Sequence, residues 1–196
     1  GGQSASLWKV NARNADGLLT QGSYGNAITL EQHFTPRMGR LESVQALAGS
    51  AALFSHEYAY DLDGKVIGRK DSASPIPRAE TFTYDALERL RSWKLQVGAP
   101  FSFSTTTSYD FDDLGNLTQV RKDGALVDDN GYGVATRPHA LVRRNQESLL
   151  YDARGRLREG DGKSIEYTSF DLPRTIKTSA GVTGFWYDAG GSRIKK

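Results

Sequence analysis

Five segments of this 196-residue chain share one spelling: an aromatic residue, an aspartate, two free positions, and a fifth place held by glycine in four of the five. They are Tyr60-Asp61-Leu62-Asp63-Gly64, Tyr84-Asp85-Ala86-Leu87-Glu88, Phe111-Asp112-Asp113-Leu114-Gly115, Tyr151-Asp152-Ala153-Arg154-Gly155 and Tyr187-Asp188-Ala189-Gly190-Gly191. An apolar residue follows two places later at Val66, Leu90, Leu117 and Leu157, and one place late at Ile194. Weaker copies lie at Phe34 to Leu41 and Asn14 to Leu18. The aromatic anchors at 34, 60, 84, 111, 151 and 187 are spaced by 24–27 residues and then by 40 and 36. The two long steps hold room for degenerate copies, one of them Tyr167 to Arg174. A repeat of this period means a supersecondary unit that buries its apolar side only by stacking on its neighbours.

The chemistry of the unit is that of a hairpin. Aspartate opens a type I turn and hydrogen-bonds the backbone two residues on. Glycine at the fourth place takes the left-handed conformation that closes a three-residue loop with a bulge. Asp61 then faces Lys65 and Asp152 faces Arg156, while Tyr60 faces Val66, Phe111 faces Leu117 and Tyr151 faces Leu157 on the other side of the ribbon. The copy at Tyr84 keeps Asp85, Arg89 and Leu90 but has Glu88 in the glycine place. A left-handed glutamate costs roughly 1–2 kcal/mol, so the expectation is a strained turn there and stabilisation on Glu88→Gly.

Alternation supports strands between the turns, at Leu53 to Tyr60, Thr81 to Tyr84, Phe101 to Tyr109, Ser164 to Tyr167 and Thr183 to Tyr187. Ser43 to Phe54 has the best helical pattern, but Gly49 and Ser50 interrupt it, and it reads as strand, loop, strand. The 21 glycines with 9 tyrosines and 8 phenylalanines suit short strands joined by tight turns. The expected fold is all-β: repeated antiparallel hairpins forming one curved sheet, with residues 1–196 as a single repeat segment and no separate catalytic domain.

Composition excludes several functions. A net charge of +2 makes no electrostatic case for nucleic acid or an anionic membrane. The absence of cysteine removes disulfides and thiolate chemistry. No apolar run approaches the roughly 20 residues of a membrane span. The opening Gly1-Gly2-Gln3-Ser4-Ala5-Ser6 is no signal peptide and reads as a cut end, with any targeting signal expected upstream.

The repeats resemble the YD repeat of the Rhs family, which takes in bacterial Rhs polymorphic toxins, the B and C components of Tc toxins, wall-associated proteins and, more distantly, teneurins. The likeness runs from about Trp8 to Ile194 and is strongest from Tyr109 to Lys196, in the segments DLGNLTQ, RPHAL, LLYDARGRLREGDGKSIEYTSFDLPRTI and FWYDAGGSRIKK. It implies a sheet that spirals into a hollow shell around a toxic C-terminal polypeptide, in a secreted or surface-delivered bacterial protein. It also implies neighbouring repeats and the enclosed toxin as partners. In similar proteins a core with an aspartyl protease closes the shell; neither the toxin nor that core is spelled here, and the segment is expected to precede it. Unpaired sheet edges would invite self-association.

Every other candidate site has a plainer explanation. Asp61 to Gly64 resembles a calcium loop, but Val66 and Ser72 stand where an EF-hand needs glycine and glutamate. Asp128-Asp129-Asn130-Gly131 reads as a solvated turn. His33, His56 and His139 lack metal-ligand spacing; His56 belongs on a strand surface and His139 anchors a loop. Asp85, Asp112, Asp152 and Asp188 recur at one turn position, which repeat architecture explains and a glycosidase pair does not. Gly160 to Ser164 lacks the spacing of a phosphate loop and reads as an Asp-Gly hairpin turn. Trp8, Trp93 and Trp186 read as packing residues rather than sugar platforms. The sequence therefore points to a non-catalytic scaffold with no cofactor or metal. A carbohydrate- or protein-binding surface module is the second reading and a hydrolase the third.

Overall fold

The computed structural model describes residues 7–133 and 136–196. Among them there is no helix. The strands are β1 (Trp8–Arg13), β2 (Leu19–Tyr24), β3 (Ile28–Phe34), β4 (Leu41–Ala48), β5 (Ala51–Tyr60), β6 (Val66–Asp71), β7 (Arg78–Tyr84), β8 (Leu90–Val97), β9 (Phe103–Phe111) and β10 (Leu117–Lys122). They continue with β11 (Ala125–Tyr132), β12 (Leu141–Arg144), β13 (Glu147–Ser148), β14 (Leu150–Tyr151), β15 (Leu157–Gly160), β16 (Lys163–Tyr167), β17 (Pro173–Thr178), β18 (Gly181–Gly184), β19 (Trp186–Tyr187) and β20 (Arg193–Lys195). Each strand pairs with its sequence neighbours, giving a 13-stranded sheet from β1 to β13, a five-stranded sheet from β14 to β18 and the pair β19–β20. The chain divides into two units, Gly1–Ser108 with Lys122–Gly124, and Tyr109–Arg121 with Ala125–Lys196.

In the first unit the two sheet faces differ, one mostly apolar but crossed by Asp71, Arg78 and the Arg69–Glu80 pair, the other polar. Directly opposed residues share a face. One row runs Val10, Gly22, Leu30, Ala46, Phe54 across β1 to β5. On the same face Phe82 opposes Trp93 and Tyr60 opposes Val66. The reverse face carries the row His33, Ser43, Glu57, Lys70, Ala79, Gln96, Ser104. There Glu31 accepts from Gln21 at 3.3 Å and from Gln45 at 2.8 Å.

Within the first unit, no second layer of described residues packs on the apolar face. Among the described residues only Ala46 and Leu149 are buried apolar side chains, and none is fully enclosed. A compact monomer of this mass exposes about 9,200 Å², whereas this chain exposes 13,377 Å². Sheet hydrogen bonds and neighbouring side chains within one layer therefore carry most of the stability.

In the second unit, residues 147–151 serve two strands in succession. Ser148 opposes Arg143, and the Leu149 amide donates to the Val142 carbonyl at 2.8 Å. Leu150 and Tyr151 then pair with β15. Leu149, 5% exposed, lies against Gly160, where a Cβ would overlap its side chain.

The expected strands at 53–60, 81–84 and 164–167 form, as does the division of Ser43 to Phe54 by a turn at Gly49 and Ser50. Asp161 and Gly162 both have positive φ, the backbone of a two-residue Asp-Gly hairpin loop. Three boundaries differ. Phe101 and Ser102 lie in the loop before β9, Phe185 separates β18 from β19, and Asp128 to Gly131 is not a turn but the interior of β11. In β11 the polar side chains have cross-strand partners: Asp129 pairs with Arg143 at 2.8 Å and takes a bond from Gln119.

Leu149→Ala should lower stability by about 2–4 kcal/mol, as for a buried leucine. Leu62→Ala, at a position 95% exposed, should change it by less than about 0.5 kcal/mol. Urea unfolding of the two variants beside wild type checks the contrast.

Candidate functional site

The structure places the repeat residues in a set of equivalent turns. In each of the five, the amide of the fifth residue donates to the aspartate carbonyl at 3.0–3.1 Å, for Gly64, Glu88, Gly115, Gly155 and Gly191. The aspartate amide then donates to the carbonyl four residues on, at Lys65, Arg89, Asn116, Arg156 and Ser192. The four glycines have φ of 80–93° and Glu88 has 63°. Tyr60 opposes Val66, Tyr84 opposes Leu90 and Tyr151 opposes Leu157. At the last turn Tyr187 opposes Arg193, and Ile194 is an extra residue in the strand.

Each aspartate does more than open its turn. One Asp85 oxygen accepts the amides of Leu87 and Arg89, both at 2.9 Å, while the other takes the Arg89 guanidinium at 2.7 Å. Asp152 repeats this with Arg154, Arg156 and the Arg156 side chain. Asp112 repeats it with Leu114, Asn116 and the Asn116 amide group. Asp61 bonds the amides of Gly64 and Lys65, and Asp188 those of Gly190 and Ser192. The Arg156 side chain, with its backbone amide, holds the Asp152 carboxyl below its ordinary range. Asn116 does the same for Asp112. At Asp85, partial burial pushes upward, and the Arg89 and Leu87 bonds outweigh it.

A further bond links each hairpin to the one before it. The Tyr60 hydroxyl donates to the Leu41 carbonyl at 2.7 Å, and Tyr84 to Val66 at 2.7 Å. Tyr132 donates to Leu117 at 3.0 Å, Tyr151 to Leu141 at 2.7 Å, Tyr167 to Leu157 at 2.8 Å and Tyr187 to Pro173 at 2.7 Å. The acceptor is each time the first strand residue after the preceding turn. Burial raises the Tyr60 and Tyr132 hydroxyls above their usual range, so they remain protonated donors. Phe111 has no hydroxyl and cannot make this bond.

This ladder exposes two repeats in the long steps. At Tyr167, Thr168 stands in for aspartate and Asp171, with φ of 65°, for glycine. At Tyr132 the loop is longer, closed by the Gly133 amide on the Ala140 carbonyl at 2.8 Å. Only the first was spelled in the sequence; the signal for the second was a tyrosine followed at a distance by the apolar Leu141. His139 anchors that loop by bonding Asn116 at 2.7 Å.

Charged residues tie successive turns together. Lys65 lies 3.2 Å from Asp61, 3.1 Å from Asp63 and 3.3 Å from Glu88 of the next turn. Hydrogen bonds to these carboxylates, Asp63 first, raise its pKa. Arg154 and Arg156 both reach Asp171 at 2.6 Å. The two acidic residues in glycine places thus both pair with cations of the preceding turn. Glu88 adopts the strained conformation, and Lys65 supplies a compensation that its own sequence neighbourhood does not spell.

The tempting chemical sites are engaged in structure. Trp93 donates to Glu80 at 3.0 Å, and Glu80 also takes Arg69. Trp8 packs against Tyr24 at a tilt, over Gly22. No group of three or more metal-ligating side chains occurs among the described residues.

With this geometry in hand, the fold has clear counterparts among solved structures. The chain resembles the TcdB2–TccC3 complex with a TM-score of 0.67 and the TcdB2–TccC3–Cdc42 complex with 0.64, each over 93% of its length at 19% identity. It also resembles the Photorhabdus luminescens Tc holotoxin pore carrying a TccC3 mutation, with 0.61 over 97% at 19% identity. It spans 11% of each of those chains. The likeness establishes the fold: a long antiparallel sheet of the kind found in these toxin complexes. No family model and no curated protein matches the chain.

Two outcomes follow from the turns. Tyr84→Phe and Tyr151→Phe should each cost about 0.5–1.5 kcal/mol, the net value of a hydrogen bond, and the two losses should add; urea midpoints of the single and double variants check this. The lowered carboxyls of Asp85, Asp112 and Asp152 contribute stability that is present above the unfolded carboxylate range, about pH 4, and lost as pH falls through their lower folded values. Asp152→Asn should flatten that acid limb in a pH series of thermal melts.

Proposed function

We propose that this chain is a stretch of an Rhs-type, YD-repeat shell whose apolar face is turned towards an enclosed polypeptide, in a toxin that acts outside the cell that makes it. The observation that carries the reading is the division of one uncovered layer into a mostly apolar face and a polar face. An apolar face of this extent is unfavourable in water, whereas a shell gives it an occupant. The likeness to TcdB2–TccC3 over nearly the whole chain supports the same reading. The role is that of a wall: the aspartates cap turns and the tyrosines join hairpins, so the repeat residues serve architecture rather than catalysis. Its partners would be the neighbouring repeats and the enclosed chain.

A second reading, a surface module that binds carbohydrate or protein, draws support from Trp186. This residue is 51% exposed, lies over Gly184 and lines a cavity of about 990 Å³ with Phe170 and Tyr187.

Limited proteolysis of the full-length natural protein tests the shell. Its C-terminal polypeptide should resist protease until the repeats unfold, and Val44→Glu with Leu95→Glu on the apolar face should weaken that protection. A C-terminal polypeptide cleaved as fast as a free one would overturn the reading. A glycan array probed with wild type and Trp186→Ala tests the alternative.

A further inference from the structure

One end of the apolar face in the first unit is built differently from the rest. Ile76, in the loop between β6 and β7, and Phe101, in the loop between β8 and β9, stand beside Leu95, Val97 and Phe103 on the strands. Together with Arg78 they line a cavity of about 410 Å³. The loops are fixed to each other by the Gly98 amide, which donates to the Pro77 carbonyl at 2.9 Å, and the second loop is closed on itself by the Ser102 amide, which donates to Gly98 at 3.1 Å. Val97 opposes both Arg78 and Phe103, so cation and aromatic ring flank one valine in a single row.

Among the described residues the Arg78 side chain makes no hydrogen bond or ion pair. Asp71 sits directly opposite, but its carboxylate takes the Ser74 amide at 3.2 Å and lies 3.9 Å from His56. On the same face Arg69, one strand away, is matched with Glu80. A guanidinium presents a planar fork suited to a carboxylate. Here it sits at the rim of a cavity otherwise lined by five apolar side chains, two of them phenylalanines more than half exposed.

We infer that this cavity binds a small amphiphilic carboxylate, its hydrocarbon between Ile76, Leu95 and the two phenylalanines and its anionic head on Arg78. The volume falls in the range of small-molecule sites, which pair an apolar lining with few orienting polar groups. The charge selects an anion over a neutral or cationic chain of the same length. The inference is independent of the shell, since it concerns one end of the face and a free ligand.

Calorimetric titration of the chain with decanoate, and with decyltrimethylammonium as the matched cation, tests it. Decanoate should bind at one site per chain, at least tenfold more tightly than the cation. Arg78→Gln should lose at least tenfold in decanoate affinity while keeping the wild-type circular dichroism spectrum. Phe103→Ser should weaken both ligands. Equal binding of the two chains, no decanoate binding, or unchanged affinity in Arg78→Gln would overturn the site and leave adsorption on the apolar face at most. Should Arg78→Gln fail to fold, Arg78→Lys serves instead, with an affinity between wild type and the loss expected for glutamine.

Discussion

A sheet with no second layer must be held together within its own plane. In most domains the side chains of an opposing layer set the position of each strand; here the repeat itself does so. Each aspartate fixes where a strand ends, because its carboxylate binds the amide four residues on and a second amide two residues on, or three at Asp61. Each tyrosine fixes where the next hairpin lies, because its hydroxyl reaches the carbonyl that begins the preceding return strand. The alternation of faces, the bulges and the open apolar surface all depend on these two anchors.

The bulges show how strictly the pattern is kept. Beside Tyr60, Val66 is the partner, yet Ala59 faces Gly68, so Ile67 is an extra residue in the return strand. The same displacement leaves Arg91 extra after Tyr84, Arg158 after Tyr151 and Arg174 after Tyr167. At Ile67, Arg158 and Arg174 the bulge follows a residue whose carbonyl takes a tyrosine hydroxyl; at Arg91 it follows Leu90, where the next anchor is Phe111. Such a site re-aims the strand, here always at the same place in the unit.

What the sequence disclosed and what it withheld divide along physical lines. The turns were legible because aspartate and glycine answer to local backbone geometry, and Tyr151 to Leu157 spells its hairpin within seven residues. The left-handed Glu88 was legible for the same reason. Its partner Lys65 was not, since 23 residues separate them and only the stacking of hairpins brings them together. The tyrosine bonds were hidden for a like reason: tyrosine and phenylalanine look alike as apolar anchors, and the hydroxyl matters only once the neighbour is in place. Asp128 to Gly131 was misread because its composition suits a turn, whereas Arg143 and Gln119 satisfy it within a strand. The Arg78 cavity had no motif at all; two loops and three strands meet there.

The tyrosine bonds point backwards along the chain in every case, from each hairpin to the one made before it. They span only 10 to 19 residues. Contacts of such short reach cost little loop-closure entropy, and folding rates rise as contacts become more local. A hairpin emerging during synthesis finds its docking site already complete and waits for nothing downstream. The sheet can thus lengthen as it is translated, one hairpin at a time.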